Sequence, residues 1–254
     1  MTEKLTRNNQ SADKILNVVE TMVRGGAPMR LKDIADQSGM PQSTAFRMIN
    51  ALRDRGYVGQ DENTERYFLT LKFSSIGDMV RAKFDLRNLV HPYMEHIAAE
   101  SKNLCYLAVE RDEGVVYIDM VTPPGVVLAR MPFIGKRVPL HLSGVGMLIL
   151  SERSDHEVEG YLSSLENTPA NDPTYIRARL EEIRQNGYAA FPDRIEMDKG
   201  SIAVGLRNYS GEIVAALSVG GPVSEFTPAY VEMVRVLLKE AADDISEKLG
   251  FNFL

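Results

Sequence analysis

Apolar residues recur at helical spacing near the front of the chain, at Ile15, Leu16, Val18, Val19, Met22 and Val23, until Gly25-Gly26 ends the run. The pattern predicts a short second helix over 31–37, with Leu31, Ile34 and Ala35 on one side. Ser38-Gly39-Met40 then makes a tight turn, and Pro41 takes the first position of a third helix, where its missing N–H costs nothing. That helix reaches about Asp54 and buries Ala45, Ile49 and Leu52, which at 100° per residue fall within about 60° of arc. Gly56 stops it. Segments 57–60 and 66–69 read as two strands around the polar turn 61–65, and a helical stretch over 71–84 leads away from them.

Behind this front the pattern changes. A helix is predicted over 86–101, strands over 104–110, 115–121, 126–130 and 137–140, and helices over 143–151, 155–165 and 173–186. Strands return over 188–191, 201–207 and 213–220, and a last helix over 227–249 opens with Thr227 as cap and Pro228 in its first turn. Successive strand hairpins with helices grouped between them predict an α+β fold with an antiparallel sheet.

Two short helices joined by a glycine-containing turn and followed by a hairpin form a winged helix-turn-helix unit. On its third helix Ser43, Arg47, Asn50 and Asp54 face away from the apolar stripe, with Gln42 and Thr44 at the amino end. Arginine forks onto guanine and glutamine onto adenine, while serine and threonine reach base edges or phosphates. Gln42, Ser43, Thr44 and Arg47 are therefore the expected DNA-contacting set, with Arg66 at the base of the wing reaching a phosphate or the minor groove. The acidic wing residues Asp61, Glu62 and Glu65 count against deep insertion of the wing tip.

Composition narrows the choices. The chain has 254 residues, enough for about two domains. Its net charge of −6 is uneven: residues 1–72 carry 11 Lys+Arg against 9 Asp+Glu, so the acidity lies behind them. With Cys105 alone, a disulfide framework and a multi-cysteine zinc site are excluded, and a reducing cytoplasmic setting is expected. No apolar run is long enough for a membrane helix, and the polar first residues do not read as a secretory signal.

The segment LKDIADQSGMPQSTAFRMINALRDRGYVGQDENTERYFLTLKFSSIG resembles the amino-terminal domain of the IclR family of bacterial transcription regulators. The resemblance continues through RMPFIGKRVPLHLSGVGMLIL, through NGYAAFPDRIEMDKGSIAVGLRNYSGEIVAALSVGGP and into the terminal helix. It implies a winged DNA-binding domain (1–70), a linker helix (71–84) and a GAF-like effector-binding domain (85–254). It also implies assembly as a homodimer or homotetramer on double-stranded operator DNA. Positions lining the family's effector pocket match Val138, Gly144, Val145, Phe191, Ser201, Ser218 and Gly220. Three of these depart from the family pattern: Phe191 replaces an acidic residue found in some members, Gly220 a serine, and Ser201 a frequent cysteine.

Physical reasoning adds to this. Ser143 caps a helix whose first N–H groups, at Gly144 and Val145, have little side-chain cover and favour an anion. Met131, Val138 and Phe191 supply an apolar wall, so a small carboxylate with an apolar or aromatic body is the expected effector. No cofactor and no metal are expected. His91 and His96 lie on different helix faces, and nothing places His141 to activate Ser143. Cys105 reads as core, and Glu110, Asp112, Glu113 and Asp119 as a solvated hairpin edge. The competing class is a cytosolic enzyme or ligand-binding protein that uses its winged domain for protein contacts.

Overall fold

The structure, a computed structural model, describes residues 10–81, 84–126, 134–166, 168, 171–192 and 199–251, with the backbone alone at Asp78, Arg81, Phe191 and Pro192. The chain divides between Phe84 and Asp85 into two compact units.

The first unit holds α1 (Gln10–Gly25), α2 (Leu31–Gln37), α3 (Gln42–Asp54), the antiparallel pair β1 (Val58–Gln60) and β2 (Tyr67–Leu69), and α4 (Lys72–Arg81). Val18, Met22, Ile34, Met48, Ile49, Leu52, Val58 and Tyr67 make its core. The turn between α2 and α3 passes through Gly39 at φ +67°, a backbone region where a side chain would strain the chain. Asn17 Nδ2 donates to the Ser38 carbonyl at 3.0 Å, which ties that turn to α1. Pro41 is the cap residue of α3 rather than its first helical residue; its extended ψ of 142° places it one position outside. Asp61 staples the wing turn, its Oδ1 accepting from the backbone N–H of Asn63 and from both the N–H and hydroxyl of Thr64. Those Thr64 bonds hold the Asp61 carboxyl below its ordinary value.

The start of α4 is lashed to the end of α3. Lys72 Nζ donates to the Arg55 carbonyl at 2.6 Å and sits 4.4 Å from the centroid of the Tyr57 ring. Thr70 Oγ1 donates to the Gly56 carbonyl at 2.6 Å, and the Tyr57 and Phe73 rings lie 5.0 Å apart.

The second unit contains α5 (Leu86–Ser101), β3 (Leu104–Arg111), β4 (Gly114–Val121), β5 (Arg137–Pro139), α6 (Gly144–Ser151), α7 (Asp155–Ser163), α8 (Pro173–Asn186), β6 (Ala189–Pro192), β7 (Lys199–Arg207), β8 (Ile213–Pro222) and α9 (Pro228–Lys248). Six antiparallel strands run in the order β5-β4-β3-β8-β7-β6. Asp112 and Glu113 both have positive φ (48° and 60°), the requirement of a tight two-residue hairpin between β3 and β4.

Alternation along the strands sends Cys105, Leu107, Ile202, Val204, Leu217 and Val219 toward α5 and α9. Ala108, Ala203 and Ala216 face α6, α7 and α8. Alanines there let α6 approach the sheet, and Gly146 completes the fit. A methyl at Gly146 would fall 2.1 Å from the Leu140 carbonyl oxygen, which no side chain tolerates.

Further expectations need amendment. The helix predicted over 71–84 is α4, Lys72–Arg81, and Phe84 is not helical. The predicted strand over 126–130 has Val126 outside any strand and its remainder outside the described residues. Asp119 is not a solvated edge group: it is buried, with Oδ2 at 2.8 Å from His91 Nδ1 and Oδ1 at 3.9 Å from Arg87. The reason is tertiary: α5 lies across β4 and covers it.

Candidate functional site

The geometry of α3 follows from its stripe. Ala45, Met48, Ile49 and Leu52 are buried, and Gln42, Ser43, Arg47 and Arg53 are exposed. Thr44 lies at the margin, half-buried. The exposed Gln42, Ser43 and Arg47 thus share the amino-terminal two turns, where unpaired helix N–H groups add donors. Arg66 is exposed at the foot of the wing, and its Nη1 donates a long bond to the Pro28 carbonyl at 3.4 Å. Arg53 Nη1 instead bonds Gln60 Oε1 at 3.0 Å and serves to hold β1 against the end of α3.

In the second unit, the sheet face that α6 covers is left open beyond the amino end of that helix. A cavity of about 400 Å³ occupies the gap. Of the residues singled out from sequence, Val138, Ser143, Gly144, Val145, Ser201, Ser218 and Gly220 line it. Phe191 pairs with Ser201 through the β6 backbone, its side chain being outside the described atoms, and Met131 lies outside the described residues altogether.

Ser143 Oγ accepts from the Gly146 N–H at 3.0 Å, the side-chain cap that the sequence implied. Gly144 and Val145, being the first residues of α6, keep N–H groups without an intrahelical partner, and these border the cavity.

Sequence reasoning missed part of the wall. Tyr106 and Tyr117 stand against each other edge to face, 5.4 Å between ring centroids, and both line the cavity. Lys102 and Lys199 also belong to the lining, and no carboxylate does among the described residues. One signal was available for Tyr106: it alternates with Leu104 on β3, opposite Ser218 and Gly220 on β8.

His141 is otherwise engaged. His141 is buried, with Nδ1 2.8 Å from the Tyr161 hydroxyl and Nε2 2.8 Å from Asn171 Oδ1, so it does not address Ser143. Burial raises the Tyr161 phenol above its usual value. Burial likewise pushes the Cys105 thiol far above the ordinary range, which leaves it inert. No group of three or more His, Cys, Asp or Glu among the described residues is arranged to hold a metal ion. No described helix is long and apolar enough to cross a membrane.

Comparison with known proteins agrees with this division of labour. Residues 11–62 match the IclR helix-turn-helix domain, and residues 79–247 match the bacterial transcriptional regulator IclR C-terminal domain. The regulator KipR of Bacillus subtilis is 25% identical over 229 residues, covering 88% of this chain and 90% of its own. The transcriptional repressor IclR of Escherichia coli is 23% identical over 256 residues, covering 98% and 93%. Among solved structures, Thermotoga maritima IclR superposes with a TM-score of 0.60 at 26% identity, over 95% of this chain and 99% of its own. An IclR homolog from Microbacterium hydrocarbonoxydans, solved with 4-hydroxybenzoate, gives 0.56 at 25% identity, over 94% and 98%. Since the second family match alone spans most of the chain, the protein belongs to the IclR family of bacterial transcription regulators.

Proposed function

We propose that this regulator reads double-stranded operator DNA with Gln42, Ser43, Thr44 and Arg47, supported by Arg66, and that a small organic carboxylate in the cavity alters that reading. The working parts are residues 1–70 as reader, 71–84 as linker and 85–254 as effector-binding domain, acting in the cytoplasm without cofactor or metal.

One observation carries the effector class: the amino terminus of α6 opens onto a cavity whose described lining includes two lysines and no carboxylate. A helix start concentrates about half a positive charge, which favours a bound anion. The Tyr106–Tyr117 pair offers ring edges and faces to an aromatic body, and a relative's structure holds 4-hydroxybenzoate. Ser201 and Ser218 add hydroxyls from adjacent strands.

The α4 residues Ile76, Met79 and Val80 are exposed at helical spacing, at 39%, 68% and 63%. Such a face supports assembly with a second copy, as homodimer or homotetramer; light scattering on the purified chain measures which. Paired readers then engage a repeated site. An effector changes DNA affinity only through its preference for one arrangement of the paired readers over another.

Two measurements test the reading. Calorimetric titration with 4-hydroxybenzoate and with its methyl ester should show binding of the acid and at least tenfold weaker binding of the ester; equal affinity defeats the anion assignment. Salt-dependent binding to DNA upstream of the protein's own gene should weaken in Arg47→Ala by roughly 1–3 kcal/mol, the worth of one forked base contact.

A further inference from the structure

We infer that Phe46 is a specificity-determining residue of the DNA-reading helix, contacting the C5 methyl of a thymine in the major groove. This rests on the assignment of α3 as the groove helix.

Phe46 breaks the rule that α3 otherwise obeys. Its other large apolar residues are sealed, with Met48, Ile49 and Leu52 at 9%, 0% and 7% exposure, whereas Phe46 stands 42% exposed. At 100° per residue it lies about 40° from Gln42 on one side and about 60° from Ser43 on the other, between two exposed polar positions. Helical side chains lean toward the amino terminus, so its ring covers the turn that carries Gln42 and Ser43. That is the turn that enters a groove.

Phe68 on β2 is exposed to a similar degree, 39%, but it has a seat. Its ring lies over Gly59 on the paired strand, where a methyl would fall 2.4 Å from the ring carbon Cζ. The exposed part of Phe68 is the remainder of a packed ring. Phe46 instead projects a phenyl group among the side chains assigned to bases. The major groove presents one apolar feature, the thymine methyl, and phenylalanine is among the side chains that meet it. Burying that methyl is worth about 0.8 kcal/mol, or roughly fourfold in affinity for each half-site.

The experiment selects binding sites from random-sequence duplex DNA with the full-length protein and with Phe46→Ala. The wild type should fix a thymine at one position of its site that the variant leaves open. Replacing that thymine by uracil, which removes only the methyl, should weaken wild-type binding roughly fourfold and leave Phe46→Ala unaffected. Identical selected motifs, or a site in which no thymine responds to uracil, overturn the inference. The uracil series on the wild type gives that answer even where the variant does not fold. Should the wild type enrich no motif at all, the groove-helix assignment fails, and this inference falls with it.

Discussion

The two faces of the six-stranded sheet are built from the same strands and do opposite things. On one face Cys105, Leu107, Ile202, Val204, Leu217 and Val219 are sealed under α5 and α9. On the other, their immediate neighbours Tyr106, Ser201, Ser218 and Gly220 border a cavity, while Ala108, Ala203 and Ala216 lie under α6. One residue step along a strand therefore separates a position sealed in the core from one that lines the cavity. The face under α5 and α9 is closed by packing, and the other is packed under α6, α7 and α8 as well but opens beyond the amino end of α6. The partly covered face spends its polar and small residues on an opening.

Substitutions on either side of one strand can break this contrast. Leu217→Ala, on the sealed face, should destabilise the second unit by about 2–5 kcal/mol in denaturant unfolding, with acid affinity unchanged in the folded fraction. Ser143→Ala removes the cap on the Gly146 N–H, costing about 1 kcal/mol of stability, and should also weaken acid binding because the start of α6 is then less well fixed. Gly220→Ala should be the mildest for folding, within about 0.5 kcal/mol, since its methyl would meet Tyr106 Cε2 at an ordinary 3.4 Å. Calorimetry should nonetheless show weaker acid binding, because that methyl occupies cavity space. If Gly220→Ala proves as destabilising as Leu217→Ala, the two faces are not functionally distinct.

Much of this arrangement was legible before any coordinates. The helices over 31–37, 86–101 and 173–186 fall where the apolar period places them, since local signals determine such elements. Ser143 as a cap was legible for the same reason, and so was the buried stripe of α3, although Met48 joins it. What escaped depends on partners distant in sequence. Asp119 looked like a surface acid because nothing near it in sequence announces His91, which meets it across 28 positions. The tyrosine wall needs the register of β3 against β8 and β4, including a shift between Leu107 and Ala108. Alternation within β3 points to Tyr106, but only pairing across the sheet brings Tyr117 beside it.

The bonds at the root of α4 have a mechanical consequence. Lys72, Thr70 and the Tyr57–Phe73 rings tie this ten-residue rod to the carboxyl end of α3. At 1.5 Å per residue the rod is about 15 Å long. On the proposed reading, a twist applied at its far end would turn Gln42 and Arg47 together with the whole head, changing their alignment against a helical lattice without rearrangement inside the head.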